Sequence, residues 1–162
     1  MNAPKILPVG ADALDTLVKA HPRLFHGEYP RSASDLLRGW YGLVDELLQQ
    51  IDGLLTDEQV KSIRIVQIKE KFGVLRVYLR NMSAQYEDPD EELVAEKDTK
   101  KDDDMVLIMR QVHALVELAC HRSEQTCAAC SAPGQLRRDR GWIVTLCDAC
   151  NDLPPEELRK LF

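Results

Sequence analysis

The stretch CAACSAPGQLRRDRGWIVTLCDAC, residues 127–150, decides how this chain is read. Two residues separate Cys127 from Cys130, two separate Cys147 from Cys150, and sixteen lie between the pairs. This C-x2-C-x16-C-x2-C spacing falls in the range of structural zinc sites. Two residues between cysteines let one tight turn aim both sulfurs at one ion. Sixteen suffice for a β-hairpin that returns the second turn opposite the first, so that four thiolates complete a tetrahedron. The intervening residues suit that excursion: Pro133 and Gly134 turn, Gln135 to Arg138 form one arm, Asp139 to Gly141 reverse, and Trp142 to Leu146 return with Val144 and Leu146 facing one way. Beyond Cys150, Asn151 or Asp152 caps a short helix starting near Pro154 and Pro155. Residues 123–162 are therefore expected to form a zinc-ribbon or treble-clef-like module. It holds one structural Zn2+ per chain through Cys127, Cys130, Cys147 and Cys150.

Other uses of four thiols stay open. A rubredoxin-like iron site uses the same ligands, although Ser131 and Asn151 stand where glycine is expected after each knuckle. A thioredoxin-like redox pair would follow a strand in a βαβ setting, which the sequence does not offer. Disulfides suit an oxidising compartment, and the fifth cysteine, Cys120, leaves an odd count. A closed four-cysteine site has no position for water or substrate, so no catalysis is expected at the metal and no catalytic residue is assigned. A nucleobase deaminase would need His-x-Glu with Pro-Cys-x-x-Cys, and an HNH-type nuclease needs histidines near its knuckles; residues 131–146 contain none. His21, His26, His113 and His121 are scattered and read as structural or surface residues, and Cys120 as an ordinary buried thiol.

Outward from the cysteines, 162 residues with 44% hydrophobic and 30% charged composition allow one core and a small appendage. No run of 18 apolar residues occurs, and the first residues lack a signal-peptide pattern, so the expectation is a cytoplasmic protein without membrane contact. The formal net charge is −6, yet residues 87–104 alone carry −7 from ten acidic and three basic residues. That segment reads as a solvated, flexible loop or, more sharply, as an acidic surface for a basic partner. Residues 1–122 are expected to form the core. A short helix begins near residue 11 and is ended by Pro22; a longer one, about 33–55, is capped by Ser32 or Ser34 and lined by Leu36, Leu37, Trp40, Val44, Leu47, Leu48, Ile51 and Leu55. Residues 62–81 read as a β-hairpin about Gly73, with Leu75, Val77 and Leu79 on one face; the change of parity between Ile65 and Val66 calls for a bulge or a strand covered on both faces. A helix follows over 104–124, with Met105, Ile108, Met109, Val112, Leu115, Val116 and Ala119 on one side. The fold class is α+β: helices packed on a β-hairpin, closed by the cysteine module.

Two surfaces are candidate contacts for a partner. Arg137, Arg138 and Arg140 beside Trp142 can meet phosphates and a base, or neutralise a tetrathiolate centre. Lys69, Lys71 and Phe72 mark either a turn with solvated charges or a recognition tip. Phosphate loops and nucleophile motifs are missing from the sequence. The blocks GWYGLVDEL (39–47), QIKEKFGVLRVY (67–78) and SEQTCAACSAPGQLRRDRGWIVTLCDAC (123–150) together resemble a widespread group of small bacterial and phage-encoded proteins in which KEKFG-x-LR-x-Y precedes a two-knuckle cysteine module. Its first knuckle usually reads Cys-x-x-Cys-Gly, where this chain has Ser131. The resemblance implies a zinc-stabilised fold and no particular reaction. The leading expectation is a non-enzymatic protein-binding factor, of the immunity or antitoxin-like inhibitor kind or a phage or host accessory protein. The alternative is a nucleic-acid-binding zinc-ribbon regulator.

Overall fold

The computed structural model describes residues 7, 12–30, 36–82 and 99–162, the side chains of 99–102 excepted. Helix α1 (Ala13–Ala20) is capped by the Asp12 carboxylate, which accepts from the Asp15 N–H. Pro22 does more than end it: Pro22 opens a second short helix, α2 (Pro22–Phe25), where its missing N–H costs nothing. The long helix expected over 33–55 is shorter. A 3-10 turn, Arg38–Trp40, leads into α3 (Tyr41–Leu54), while Leu37 is extended; Ser32 and Ser34 lie outside the described residues. The apolar periodicity continues through Leu36 and Leu37, but the backbone at Gly39 is held elsewhere, as described below. TDEQV is a separate helix, α4 (Asp57–Ser62), with a Thr56–Gln59 capping box.

Strands β1 (Ile63–Lys71) and β2 (Val74–Asn81) pair antiparallel, with a register shift between Ile65 and Gln67. The bulge resets parity, so Ile63 and Ile65 before it and Ile68 after it all face inward with Leu75 and Val77. Helix α5 (Thr99–Ser123) packs on α3 and β2. It takes up the last residues of the acidic segment, so 99–104 are helical rather than loop; 87–98 lie outside the described residues. Ser123 covers the free edge of β2, its hydroxyl accepting from the Leu75 N–H at 2.9 Å and donating to the Cys120 carbonyl at 2.6 Å. A second sheet, β3 (Gln135–Arg137) with β4 (Val144–Leu146), is followed by α6 (Asp148–Asn151) and α7 (Pro155–Arg159). Trp40, Val44, Leu48, Ile51, Ile63, Ile68, Leu75 and Val112 are wholly buried, and the same cluster runs on into Cys127, Ala128, Val144, Leu146 and Leu158. His21 and Asp45 are buried within it as a pair, Nε2 to Oδ1 2.8 Å.

Candidate metal centre

The first knuckle is a loop shaped by backbone bonds: Ser131 N–H donates to Cys127 O at 3.0 Å, Cys127 N–H to Ala132 O at 2.8 Å, and Ala128 N–H to Thr145 O at 2.9 Å. Ser131 has φ 63°, a left-handed conformation that explains why glycine suits the place after such a knuckle. Here the serine adds something glycine cannot, since its hydroxyl donates to Gly39 O. The second knuckle opens a helix. Cys147 is the N-cap of α6, and its sulfur accepts from the Cys150 N–H at 3.4 Å. Sequence periodicity missed α6 because it is four residues long; Asn151 is its last residue rather than the cap of α7.

The two knuckles bring the sulfurs of Cys127, Cys130, Cys147 and Cys150 within 4.8 Å of one another. Cys130 and Cys147 sulfurs stand 3.6 Å apart, near the about 3.8 Å edge of a tetrahedron with 2.3 Å metal–sulfur bonds. All five cysteines are unbridged in the structure. Four soft donors at such distances can hold one metal ion and fill its coordination shell. Burial is the largest influence on Cys130 and Cys150 and pushes both thiols up, with the neighbouring sulfurs adding to it at Cys150. Burial acts the same way on Cys147, but the Cys150 N–H and the adjacent thiols outweigh it, and this thiol lies below its ordinary value. Crowded sulfurs of this kind resist becoming thiolates together unless a cation sits among them. Cys120 is not part of the group. It lies half-buried on α5 near Arg76, its thiol raised by burial.

Contacts at Gly39, Trp40 and Gly73, which the sequence did not announce, tie this module to the core. Gly39 N–H donates to Ala128 O at 2.9 Å, and a Cβ on Gly39 would stand 2.3 Å from Cys127 O and 2.5 Å from Ala128 C. Trp40 Nε1 donates to Thr126 O at 2.9 Å. Gly73, at φ 80°, lies against Val144, where a Cβ would meet the Val144 Cα at 3.2 Å, and its carbonyl accepts from the Thr145 hydroxyl at 2.7 Å. One signal for Gly39 was available: a glycine at the head of an apolar-periodic stretch is costly unless another chain segment approaches closely. GWYG thus meets the first cysteine pair, and KEKFG meets the β3–β4 hairpin that joins the two pairs.

The arginine patch is largely engaged within the module. Arg137 reaches Leu146 O and the Asp148 carboxylate, and Arg140 reaches the carbonyls of Asn151 and Leu153. Arg138 is exposed and has no partner among the described residues. Trp142, 45% exposed, packs edge-on against Phe162 at 5.4 Å. At the β1–β2 tip, Phe72 has φ 54° and is 67% exposed, with the Lys71 ammonium 5.5 Å from its ring. Comparison with protein-family models, with curated proteins and with solved structures finds no match for this chain.

Proposed function

We propose that the protein is a non-enzymatic, zinc-stabilised binding factor of the cytoplasm, and that Phe72 anchors a protein partner. Four thiolates at tetrahedral spacing suit zinc, and a filled shell makes the ion a staple rather than a catalyst. Free cysteines fit a reducing compartment. The observation that carries the binding role is the conformation of Phe72. A bulky residue in the left-handed region costs about 1–2 kcal/mol, and two-thirds of this ring is in water, so the fold gains little in return. Beside it, Gly73 is clamped to β4, which presents the ring on a rigid mount. A contact outside the chain accounts for a residue that is strained, exposed and firmly held. The resemblance to the small bacterial and phage-encoded group is likewise a proposal, supported by contacts among its three blocks, Gly39 against the first knuckle and Gly73 against β4. A nucleic-acid role through the zinc hairpin has less support, since two of its three arginines are engaged within the module.

Phe72→Asn tests the anchor. Asparagine is welcome at the first central position of a two-residue turn with positive φ, so the variant should melt higher than the parent by the equivalent of about 1 kcal/mol. It should also lose the protein that the parent retains on affinity capture after nuclease treatment. A partner retained equally by both sinks the proposal. Elemental mass spectrometry of the purified chain should find zinc, and iron there would overturn the choice of metal.

A further inference from the structure

The outer face of the β1–β2 hairpin carries cations that no carboxylate among the described residues balances, although Arg64 donates to the carbonyls of Lys61 and Ile63 and Arg76 reaches the Cys120 thiol. Arg64 stands directly opposite Arg80 across the ladder, Lys69 stands directly opposite Arg76, and Lys71 continues the row toward the tip. Like charges directly opposed destabilise a strand pair. None of the five is ion-paired with a carboxylate among the described residues. The bulge assembles this face: by resetting parity between Ile65 and Gln67 it turns Ile68 inward and leaves Lys69 and Lys71 outward, in line with Arg64. Glu70, the acid of the KEK run, falls on the other parity. Its carboxylate accepts from the Gly73 N–H and is thereby withdrawn from the cationic row.

Apolar and aromatic groups interleave with the cations. Tyr78, 44% exposed, stands opposite Gln67 between the two charge pairs, with the Lys69 ammonium 5.3 Å from its ring, and Phe72 lies at the tip. At the open end a cavity of 430 Å³ is bounded by Phe25, Tyr29, Arg64, Arg80 and Met82, with the Glu28 carboxylate on its rim. Tyr29 and Met82 are more than half exposed.

We propose that this face binds single-stranded nucleic acid, with phosphates along the rows of Arg64, Lys69, Lys71, Arg76 and Arg80 and a base stacked on Tyr78. Alternate residues of a strand stand about 7 Å apart, on the scale of the phosphate repeat of an extended single strand. A cationic track with aromatic platforms is how such strands are held without sequence preference. Guanidinium groups suit phosphate oxygens through their planar fork. An unpaired base can reach this ring, whereas stacked duplex bases cannot, which favours the single strand. This surface is separate from the zinc hairpin and does not rest on a protein partner at Phe72.

Fluorescence anisotropy of the metal-loaded chain with labelled oligothymidylate and oligouridylate of about 12 nucleotides, between about 50 and 200 mM salt, tests the proposal. Both should bind, with log affinity falling against log salt at a slope near −3, about 0.7 for each phosphate neutralised. The double variant Lys69→Glu, Arg80→Glu should weaken binding at least tenfold and flatten the slope by about 1 to 2. Because it turns two like-charged pairs into opposite-charged ones, it should melt no lower than the parent, which separates lost binding from lost folding. Tyr78→Leu should weaken binding about tenfold with the slope unchanged. Absence of binding by the parent at the lowest salt, or equal binding by the charge variant, overturns the proposal and leaves the cations to balance the acidic run 87–104 of the same chain. If a polyglutamate peptide displaces the probe as readily as unlabelled oligonucleotide, the face reads negative charge alone, and an acidic protein replaces nucleic acid as its partner.

Discussion

β1 and β2 run nine and eight residues and bury Ile63, Ile65, Ile68, Leu75 and Val77 against helices. β3 and β4 run three residues each; Val144, Thr145 and Leu146 are buried, but the arm opposite offers no fully buried residue. A hairpin of the first kind is ordered by the apolar area it removes from water. One of the second kind has too little, and on the proposed reading a metal held by the four cysteines supplies the difference. Nor are the two independent, since the tip of the first hairpin rests on the second at Gly73 and the head of α3 rests on the first knuckle at Gly39.

The strongest way to break this division is to take away the metal. Chelation, or Cys147→Ser, should lower stability by about 3 kcal/mol or more, because the ion's binding free energy is part of the folding free energy of a segment with little core. Thermal melting followed by circular dichroism checks it: the melting point should fall sharply while most helical signal survives at low temperature, since α3 and α5 pack on each other and on β1–β2. Acid should do the same as chelation. Metal-held thiolates titrate lower than in the unfolded chain, so their contribution is present at neutral pH and is lost as pH falls and protons compete with the ion. A metal-depleted chain that melts like the parent would mean that the second hairpin stands on its own contacts.

The same contrast explains what could be read from sequence. The β1–β2 hairpin and α5 announce themselves because alternation and helical periodicity report burial over many residues; even the bulge shows as a parity change between Ile65 and Val66. The cysteine module is legible through ligand spacing alone. Hidden from both signals are contacts that hydrophobicity does not record: Gly39 against a backbone carbonyl, Thr145 bonded to Gly73, Ser131 in a left-handed conformation bonded to Gly39. The start of α3 was misplaced for that reason. Leu36 and Leu37 keep the helical period, but the docking of Arg38–Trp40 on the knuckle ends the helix there. Likewise Arg137 and Arg140 look like a free patch in sequence, and only the fold shows the carbonyls and carboxylate that engage them.

Substituting glycines sharpens the comparison at its joint. Gly39→Ala sets a methyl against backbone atoms of the first knuckle, which cannot move without disturbing Cys127, and should cost about 2–3 kcal/mol. Gly73→Ala adds a strained φ to its contact with Val144 and should cost about 2 kcal/mol. Each should also raise the rate at which metal is lost to a chelator, an effect that a change confined to the core would not produce. Gly53 is the control. It lies in the last turn of α3 with open space around a Cβ, so Gly53→Ala should raise stability by about 0.5–1 kcal/mol and leave metal release unchanged. Denaturant melts of the three variants, paired with metal-release rates, separate the joint from the helix.

The smallest effect lies at the surface where α5 meets α3. Arg122 of α5 bonds Glu46 of α3 at 2.9 Å, both side chains about half exposed. The guanidinium outweighs the opposing effect of burial and holds the Glu46 carboxyl below its ordinary value. A carboxyl whose folded pKa is depressed contributes stability above its unfolded pKa, near 4.5, and loses it as pH falls through the folded value. Discounted for solvent screening, the pair should be worth about 0.5 kcal/mol at neutral pH. Because acid also strips the metal, comparison with Arg122→Ala alone would mix two losses. A double-mutant cycle with Glu46→Ala isolates the pair: the coupling should be present at pH 7, shrink with added salt, and vanish below the folded pKa of Glu46. Coupling that persists in strong acid would mean that α3 and α5 are joined here by packing of the side-chain stems rather than by charge.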